Sequence, residues 1–267
     1  MVVVQNRDRE GAISKSALIL GASSGFGEAV AVELAAIGYN IYGVHLDRRE
    51  TLPHAMEVQQ KIRDAGREAV FFNMNAADDE KRGEVIEKLR ADGSEVGVLL
   101  HSLAFGALRP LVGAVEVASK RQMEMTSDVM GHSLVYWTHD LVSNGLMKSG
   151  GRIYAMTSEG GGKAIPEYGP VCAAKAILEA HIRQLALELA PYGITANAIM
   201  AGVTDTPALR KIPGSDKLKE YALARNPHHR LTTPADVARC IAVLCNENTY
   251  WMTGNTVRVD GGEGSVG

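Results

Sequence analysis

Ala17-Leu-Ile-Leu-Gly-Ala-Ser-Ser-Gly-Phe-Gly27 joins a short apolar run to a cluster of three glycines. The run Ala17–Leu20 has the length of one buried strand. Residues 28–37 then carry apolar side chains at helical spacing, and Gly38 ends the predicted helix. A glycine cluster alone is weak evidence, but a strand, a glycine turn and a helix together predict half of a dinucleotide-binding βαβ unit. In such a unit the backbone approaches a pyrophosphate closely, and the helix N-terminus attracts its charge.

The end of the next predicted strand carries charges of both signs. This strand covers residues 40–46 and is followed by Asp47, Arg48 and Arg49. In a dinucleotide-binding fold an acidic side chain here favours a free ribose 2′-hydroxyl, and an arginine favours a 2′-phosphate. The two arginines predict NADPH, with NADH as the alternative, because they could fork onto a phosphate. A solvated turn with internal ion pairs is the simpler interpretation.

The remaining sequence alternates between strand and helix patterns. Further strands are predicted at 69–74, 96–100, 152–157, 195–200 and 255–259, and helices at 54–65, 79–92, 116–144 (one or two), 170–190 and 234–245. This alternation predicts an α/β fold, with a Rossmann-like, doubly wound parallel sheet of seven strands and helices on both faces. We expect a single domain over residues 1–267, with a flexible leader at 1–16 and a helical substrate lid at 203–233.

Composition and charge exclude several classes of protein. The 267 residues are 46% apolar and 22% charged, with a net charge of −3, so no basic surface indicates nucleic acid. Apolar runs fall short of the ~20 residues that cross a bilayer. The three cysteines, Cys172, Cys240 and Cys245, lack metal-ligand spacing and predict buried free thiols in a cytoplasmic protein. His228-His229 has no partner at metal spacing either, and we expect no metal.

Tyr168 and Lys175 are the leading candidates for chemistry. Seven residues are close to two helical turns at ~3.6 residues per turn, so both side chains could lie on one face at the start of a helix. A nearby ammonium would favour the phenolate form of the tyrosine and make it a readier proton donor. Ser158, just past the fifth strand, is either a third catalytic residue or a helix N-cap. His101 is more consistent with a structural role at a strand end than with a base.

The sequence resembles the short-chain dehydrogenase/reductase family over nearly its whole length. The residues that carry this resemblance are Gly21-x3-Gly25-x-Gly27, Ser158, Lys175, Asn197-Ala-Ile-Met-Ala-Gly202 and Val259-Asp-Gly-Gly262. The usual family pattern places the tyrosine four residues before the lysine, but that position is Val171 here. Here six residues separate Tyr168 from Lys175, and this longer spacing is similar to that of the enoyl-acyl-carrier-protein reductases of fatty-acid synthesis.

Other segments agree with that subgroup. Ala164-Ile-Pro-Glu-Tyr168 and His101-Ser-Leu-Ala104 are similar to segments of enoyl reductases, and the asparagine of the usual catalytic tetrad falls at Met130. Leu108-Arg-Pro110 and Asp205-Thr206 resemble the NADPH-using type found in bacilli. Two features depart from enoyl reductases: Ser158 stands where many have a second tyrosine, and the glycine segment is of the ordinary family kind.

The resemblance implies reduction of the carbon–carbon double bond of a trans-2-enoyl thioester, carried by acyl carrier protein or CoA. Tyr168, Lys175 and Ser158 would be catalytic, and Lys175 would also bind the nicotinamide ribose. The implied cofactor-binding residues are Gly21, Ser23, Ser24, Gly25, Phe26, Gly27, Asp47, Arg48, Arg49, Asn75, Ala76, Ser102, Leu103, Ala104, Lys175, Gly202, Val203, Thr204 and Thr206. The family also implies a homotetramer.

Two other functions are compatible with the sequence. One is a carbonyl, ketoacyl or hydroxysteroid-type dehydrogenase with a displaced tyrosine. The other is a nucleotide-binding sensor or scaffold without turnover. Basic residues in or beside the lid could form a docking edge for an acidic carrier protein or merely a solvated helix face; they are Arg210, Lys211, Lys217, Lys219, Arg225 and Arg230.

Overall fold

The seven strands form one parallel sheet in the computed structural model, which describes residues 15–113 and 116–266. The strands are β1 (Lys15–Leu20), β2 (Asn40–His45), β3 (Ala69–Asn73), β4 (Glu95–His101), β5 (Arg152–Thr157), β6 (Thr195–Ala201) and β7 (Thr256–Val259). Their order across the sheet is β3-β2-β1-β4-β5-β6-β7. The chain therefore winds outward from β1 in one direction and from β4 in the other, and the predicted fold class is confirmed.

The described part of the chain contains eight helices, of which six cover the two faces of the sheet. They are α1 (Gly25–Ala36), α2 (Leu52–Asp64), α3 (Asp79–Ala91), α4 (Lys120–Ser127), α5 (Ser133–Ser143), α6 (Gly169–Leu189), α7 (Ser215–Arg225) and α8 (Pro234–Leu244). On one face α1, α2 and α8 bury Leu34, Ile62 and Ile241. On the other, α3, α5 and α6 bury their apolar sides around Trp137 and Leu178. Central strands are apolar on both sides because both faces are covered.

The start of the chain departs from the prediction. Lys15 and Ser16 belong to β1 and pair with its neighbours, so the predicted leader at 1–16 is two residues too long at its end. The rest of that leader lies outside the described residues. Ser16 is buried because the first strand starts inside the sheet.

The helical region after β4 has a break in the middle. A capping box at Ser119 and Gln122 begins α4, and a π-helical stretch, Asp128–His132, joins α4 to α5. Gly131 lies in this stretch, and a Cβ there would come within 3.2 Å of the Ala174 carbonyl oxygen of α6. The break thus brings the helix against α6, and it buries Met130. Such π-helical turns are frequent at functional sites.

The segment predicted as a lid has short helices of its own. It contains a 3₁₀ turn, Leu209–Lys211, followed by α7. Tyr221 and Leu223 on α7 expose 62% and 40% of their surface, which leaves apolar area available for a ligand. Its function as a lid remains a prediction.

The three cysteines are less buried than the sequence predicts. Cys172, Cys240 and Cys245 are free thiols, as predicted, but each is only partly buried, so the predicted full burial is wrong. None of the helices in the described residues combines the length and apolar composition needed to span a bilayer.

Candidate active site

The predicted site residues come together at the carboxyl ends of the central strands. Gly21 follows β1, Ser102 follows β4, Ser158 follows β5 and Gly202 follows β6. In a doubly wound sheet, ligands bind in the crevice outside these ends. The topology therefore gathers at one edge residues that lie far apart in sequence.

Tyr168 precedes helix α6 rather than lying inside it. It is the N-cap residue, with φ −105° and ψ 6°, and the helix begins at Gly169. The carbonyl oxygen of Tyr168 accepts a hydrogen bond from the Cys172 amide at 2.8 Å, so Tyr168 stands at the start of the helix, and the shared face with Lys175 stays a prediction. The preceding residue, Glu167, has φ 59°, in the left-handed region that costs ~1–2 kcal/mol for a side chain with a Cβ. Such strain is typical of functional sites.

The Tyr168 phenol lies in a pocket made by a glycine, a serine and an apolar cluster. A Cβ on Gly160 would lie 3.1 Å from the Tyr168 ring, so the loop after β5 packs flat against it. The apolar neighbours include Met130 and Val171. Ser158 Oγ is buried and lacks a hydrogen-bond partner of good geometry in the described residues, yet it lies close enough to the phenol to affect its titration.

The protonation of Tyr168 also differs from the prediction. Burial raises the pKa of the phenol above its usual value; the Ser158 hydroxyl lowers it and the neighbouring Cys172 raises it further. Lys175 is not among the groups that shift it, so the predicted lowering by the ammonium is wrong. The phenol is consequently neutral at physiological pH and able to donate a hydrogen bond.

Lys175 is 5% exposed and is anchored between β5 and the segment after β4. Its Nζ donates to the carbonyl oxygen of Met156 at 2.7 Å and to that of Leu103 at 3.4 Å. An ammonium has three donors, so one remains for a ligand. Burial lowers the pKa of Lys175 to about 8, and the charge of Glu179 opposes that shift.

His101 is a structural residue, in agreement with the sequence interpretation. It is buried at the end of β4, and its Nε2 lies 2.9 Å from Ser133 Oγ. Burial first, and the charge of Lys175 second, lower the pKa of His101 to about 3. The imidazole is therefore neutral and does not compete with Lys175 as a charged group.

The glycine turn has the close contacts expected of a pyrophosphate cradle. A Cβ on Gly27 would overlap the carbonyl oxygen of Gly21, and one on Gly21 would overlap the carbonyl oxygen of Ser102. Gly25 begins α1 and lies under Thr206, whose Cγ2 would be 3.5 Å from a Cβ at that position. The Ser24 side chain does not cap α1, so the first amides of the helix remain open to an anion. The residues present fit a dinucleotide.

Gly27→Ala is expected to weaken cofactor binding at least ~10-fold and to destabilise the fold by ~1–3 kcal/mol, as overpacking does. The new methyl group would force the turn away from helix α1. Thermal unfolding and fluorescence titration with NADPH measure the two effects. Gly83→Ala is the matched control, since a Cβ on Gly83 of α3 meets nothing within 4 Å. Equal behaviour of the two variants would contradict the cradle.

At the end of β2, Asp47 has partners within the chain, whereas the two arginines that follow it do not form ion pairs in the described residues. Asp47 Oδ2 lies 2.8 Å from His45 Nδ1. Burial tends to raise the pKa of Asp47, but Ser23, Thr51 and His45 outweigh it and hold the pKa below its usual value. Arg48 and Arg49 are exposed, as in a solvated turn, but they form no ion pair within the described residues, so the alternative of internal ion pairs does not hold for them.

The other predicted cofactor residues line the same edge. Asn75 Oδ1 accepts a hydrogen bond from the amide of Ala77, and the carbonyl oxygen of buried Ala76 accepts one from Trp137 Nε1 at 2.8 Å. Thr204 and Thr206 are buried at the start of the lid segment. Phe26 lies in the first turn of α1, Leu103 and Ala104 follow β4, and Val203 follows β6.

Two carboxylates near the site escaped the sequence analysis. Glu263 is buried, and its oxygens accept the Val203 amide at 3.3 and 3.2 Å, 60 residues away in sequence. No local pattern could have indicated that contact. Glu179 lies four residues after Lys175 on α6, and this i,i+4 spacing was a usable signal.

Most of the predicted basic edge is neutralised within the chain. Arg210 forms two hydrogen bonds to Asp205, Lys219 pairs with Asp216, and Arg230 pairs with Asp236. Arg225 Nε donates to the carbonyl oxygen of Val266. Lys211 and Lys217 form no ion pair within the described residues. His228 and His229 are exposed. The described residues contain no cluster of side chains that could hold a metal ion.

Comparison with known proteins places this site in a family. The family model described as "Enoyl-(Acyl carrier protein) reductase" matches residues 21–263. The NADPH-dependent enoyl-[acyl-carrier-protein] reductase FabI of Staphylococcus aureus is 30% identical over 195 residues, which cover 73% of this chain and 75% of that protein. The 3-oxoacyl-[acyl-carrier-protein] reductase FabG of Staphylococcus epidermidis is 27% identical over 253 residues, and this match covers 94% of this chain and 99% of that protein.

A solved structure agrees with this placement. The NADH-dependent enoyl-[acyl-carrier-protein] reductase of Aquifex aeolicus superimposes with a TM-score of 0.83 at 26% identity, covering 95% of this chain and 97% of that one. The relatives thus include enoyl and oxoacyl reductases and users of both nicotinamide cofactors. The chain belongs to the short-chain dehydrogenase/reductase family, is matched by its enoyl-(acyl carrier protein) reductase model, and is an oxidoreductase of that family.

Proposed function

We propose that this protein reduces the carbon–carbon double bond of a trans-2-enoyl thioester, with NADPH as the cofactor. The observation that carries the proposal is the position of the phenol. Val171 is buried at the position of the usual family tyrosine, and Tyr168 occupies the N-cap of α6 beside Ser158. The site therefore has its phenol one turn earlier than a ketone reductase does.

That displacement suits the proposed substrate. In conjugate reduction, the negative charge develops on the thioester oxygen, two bonds farther from the carbon that receives hydride than the oxygen of a ketone. A donor aimed at this oxygen lowers the barrier because it acts where charge develops. The neutral phenol of Tyr168 supplies such a hydrogen bond, and the hydroxyl of Ser158 beside it can supply a second.

The bound cofactor would supply the hydride for the β-carbon, and the protein residues hold the reacting groups in place. The glycine turn and the N-terminus of α1 would hold the pyrophosphate. Lys175, with one donor left after binding two carbonyl oxygens, would bind the nicotinamide ribose. Tyr168 would stabilise the enolate, and the α-carbon would take its proton from solvent or a relay.

NADPH is favoured over NADH by the free arginines. Arg48 and Arg49 are exposed without ion-pair partners in the described residues, whereas Asp47 is bound by Ser23, Thr51 and His45. Two guanidinium groups at the end of β2 can bind a 2′-phosphate bidentately. The carboxylate is directed to its own neighbours and keeps its charge there.

An acyl chain would be covered from two sides. Leu111 packs on Gly169, where its Cγ would be 2.6 Å from an added Cβ, and so lies beside Tyr168. Phe105 and Leu111 each expose more than half of their surface, and α7 presents Tyr221 and Leu223. These side chains would enclose an apolar substrate. Lys211 and Lys217 are the basic residues left to meet an acidic carrier protein. The protein would act as a homotetramer, as the family resemblance implies.

The decisive experiment compares two thioesters at equal concentration. We expect NADPH oxidation with crotonyl-CoA and at least ~10-fold slower oxidation with acetoacetyl-CoA, because the phenol is positioned for an enolate. Activity on the keto compound alone would make the protein an oxoacyl-type reductase, a function that the similarity to FabG supports. Cofactor binding without turnover on a broad panel would identify a sensor or scaffold.

A further inference from the structure

Glu179 lies next to the active site without belonging to any part of the proposed chemistry. It follows Lys175 by four residues on α6, so both side chains lie on the same side of the helix. The residue is half-buried, and it faces the loop between β5 and α6 instead of solvent.

Two contacts bind this loop to the Glu179 carboxylate. Thr157 Oγ1, at the end of β5, donates to Glu179 Oε1 at 2.6 Å. A Cβ on Gly161 would lie 2.5 Å from the same oxygen, so the loop backbone rests directly on the carboxylate. Ser158 is the residue after Thr157, and Gly160, before Gly161, packs against the Tyr168 ring. Glu179 thus holds both ends of the short stretch that touches the phenol.

The same carboxylate also carries the negative charge that acts on the Lys175 ammonium. The groups around the ammonium are the carbonyl oxygens of Met156 and Leu103, neutral His101 from β4, and Glu179 from α6 itself. The carbonyl groups are dipoles and His101 carries no charge, so Glu179 alone among these groups contributes a negative charge. A buried ammonium without a counter-charge tends to lose its proton.

We propose that Glu179 is a positioning residue that keeps Lys175 charged for the cofactor and fixes the loop that carries Ser158. The inference rests on the proposed contact of Lys175 with the nicotinamide ribose, but not on the identity of the substrate. It assigns two separable tasks to one carboxylate: its charge serves Lys175, and its oxygen atom serves Thr157.

The test uses the pH dependence of NADPH binding to the intact protein, measured by fluorescence titration. For the native chain, affinity should fall as the pH rises through about 8, where Lys175 loses its proton. Glu179→Gln removes the charge that raises the Lys175 pKa, so the midpoint of this fall should move to lower pH. The amide oxygen of the glutamine can still accept the hydrogen bond of Thr157.

Two further variants separate charge from structure. Thr157→Val removes the hydrogen bond and keeps the charge, so the midpoint should stay in place while kcat falls with whichever thioester is reduced. Glu188→Gln, an exposed position on the same helix that pairs with Gln184, should change neither quantity. An unchanged midpoint in Glu179→Gln, with the protein folded by circular dichroism, would overturn the inference. Because the titration needs no thioester, this failure is distinct from a failure of the enoyl assignment.

Discussion

Tyr168→Phe should lower kcat about 10²–10³-fold, corresponding to ~2.7–4 kcal/mol of lost transition-state stabilisation. The variant keeps the ring that packs on Gly160 and in the apolar cluster, so the fold and the NADPH dissociation constant should stay within about twofold of the native values. Steady-state kinetics with crotonyl-CoA and a fluorescence titration measure the two quantities. The loss should fall on kcat because the hydrogen bond strengthens as the enolate forms.

Tyr192→Phe is the matched control. This tyrosine is 57% exposed in the 3₁₀ turn after α6, at the opposite end of that helix from Tyr168, and the substitution should leave kcat unchanged. Near-normal turnover in Tyr168→Phe would remove the phenol from the mechanism. In that case the buried hydroxyl of Ser158 would be the remaining donor for the thioester oxygen.

The sheet and its helices were predictable because each element has a local signal. Apolar runs of strand length alternate with helical spacing, and glycines mark several turns, so most predicted bounds lie within one or two residues of the structure. The β1–α1 turn was equally clear, since its glycines are required by contacts made within one unit. The break between α4 and α5 was less clear, because the π-helical stretch continues the helical chain path and contains no proline that would mark a break.

The electrostatics of the site were not predictable from spacing. The sequence indicates that Tyr168 and Lys175 are near each other, but the sign of the tyrosine pKa shift depends on burial, which the loop after β5 and the π-helical stretch together provide. Glu263 reaches the Val203 amide only because β6 and β7 are neighbours in the sheet. Such contacts follow from topology and leave no mark in the local sequence.

Replacing both Arg48 and Arg49 by alanine should raise the NADPH dissociation constant about 100-fold or more. Each charge-assisted hydrogen bond to a phosphate contributes ~1.5–3 kcal/mol, and neither arginine has an ion-pair partner in the described residues that would compensate for its loss. The NADH dissociation constant should change less than about twofold, because that cofactor has a 2′-hydroxyl instead of the phosphate. Titrations with both cofactors give the ratio directly.

The ratio of the NADPH and NADH dissociation constants distinguishes recognition of the 2′-phosphate from a nonspecific attraction between charges. Arg67→Ala removes an exposed arginine just before β3, at the amino-terminal end of the strands and so at the opposite end of the sheet from the cofactor crevice, and should leave both affinities unchanged. If the double variant loses affinity for NADPH and NADH equally, the arginines act only through the overall field. If it loses neither, Asp47 governs the ribose site. Its carboxylate, already charged and held by Ser23, Thr51 and His45, would then turn to a 2′-hydroxyl and make the protein an NADH enzyme.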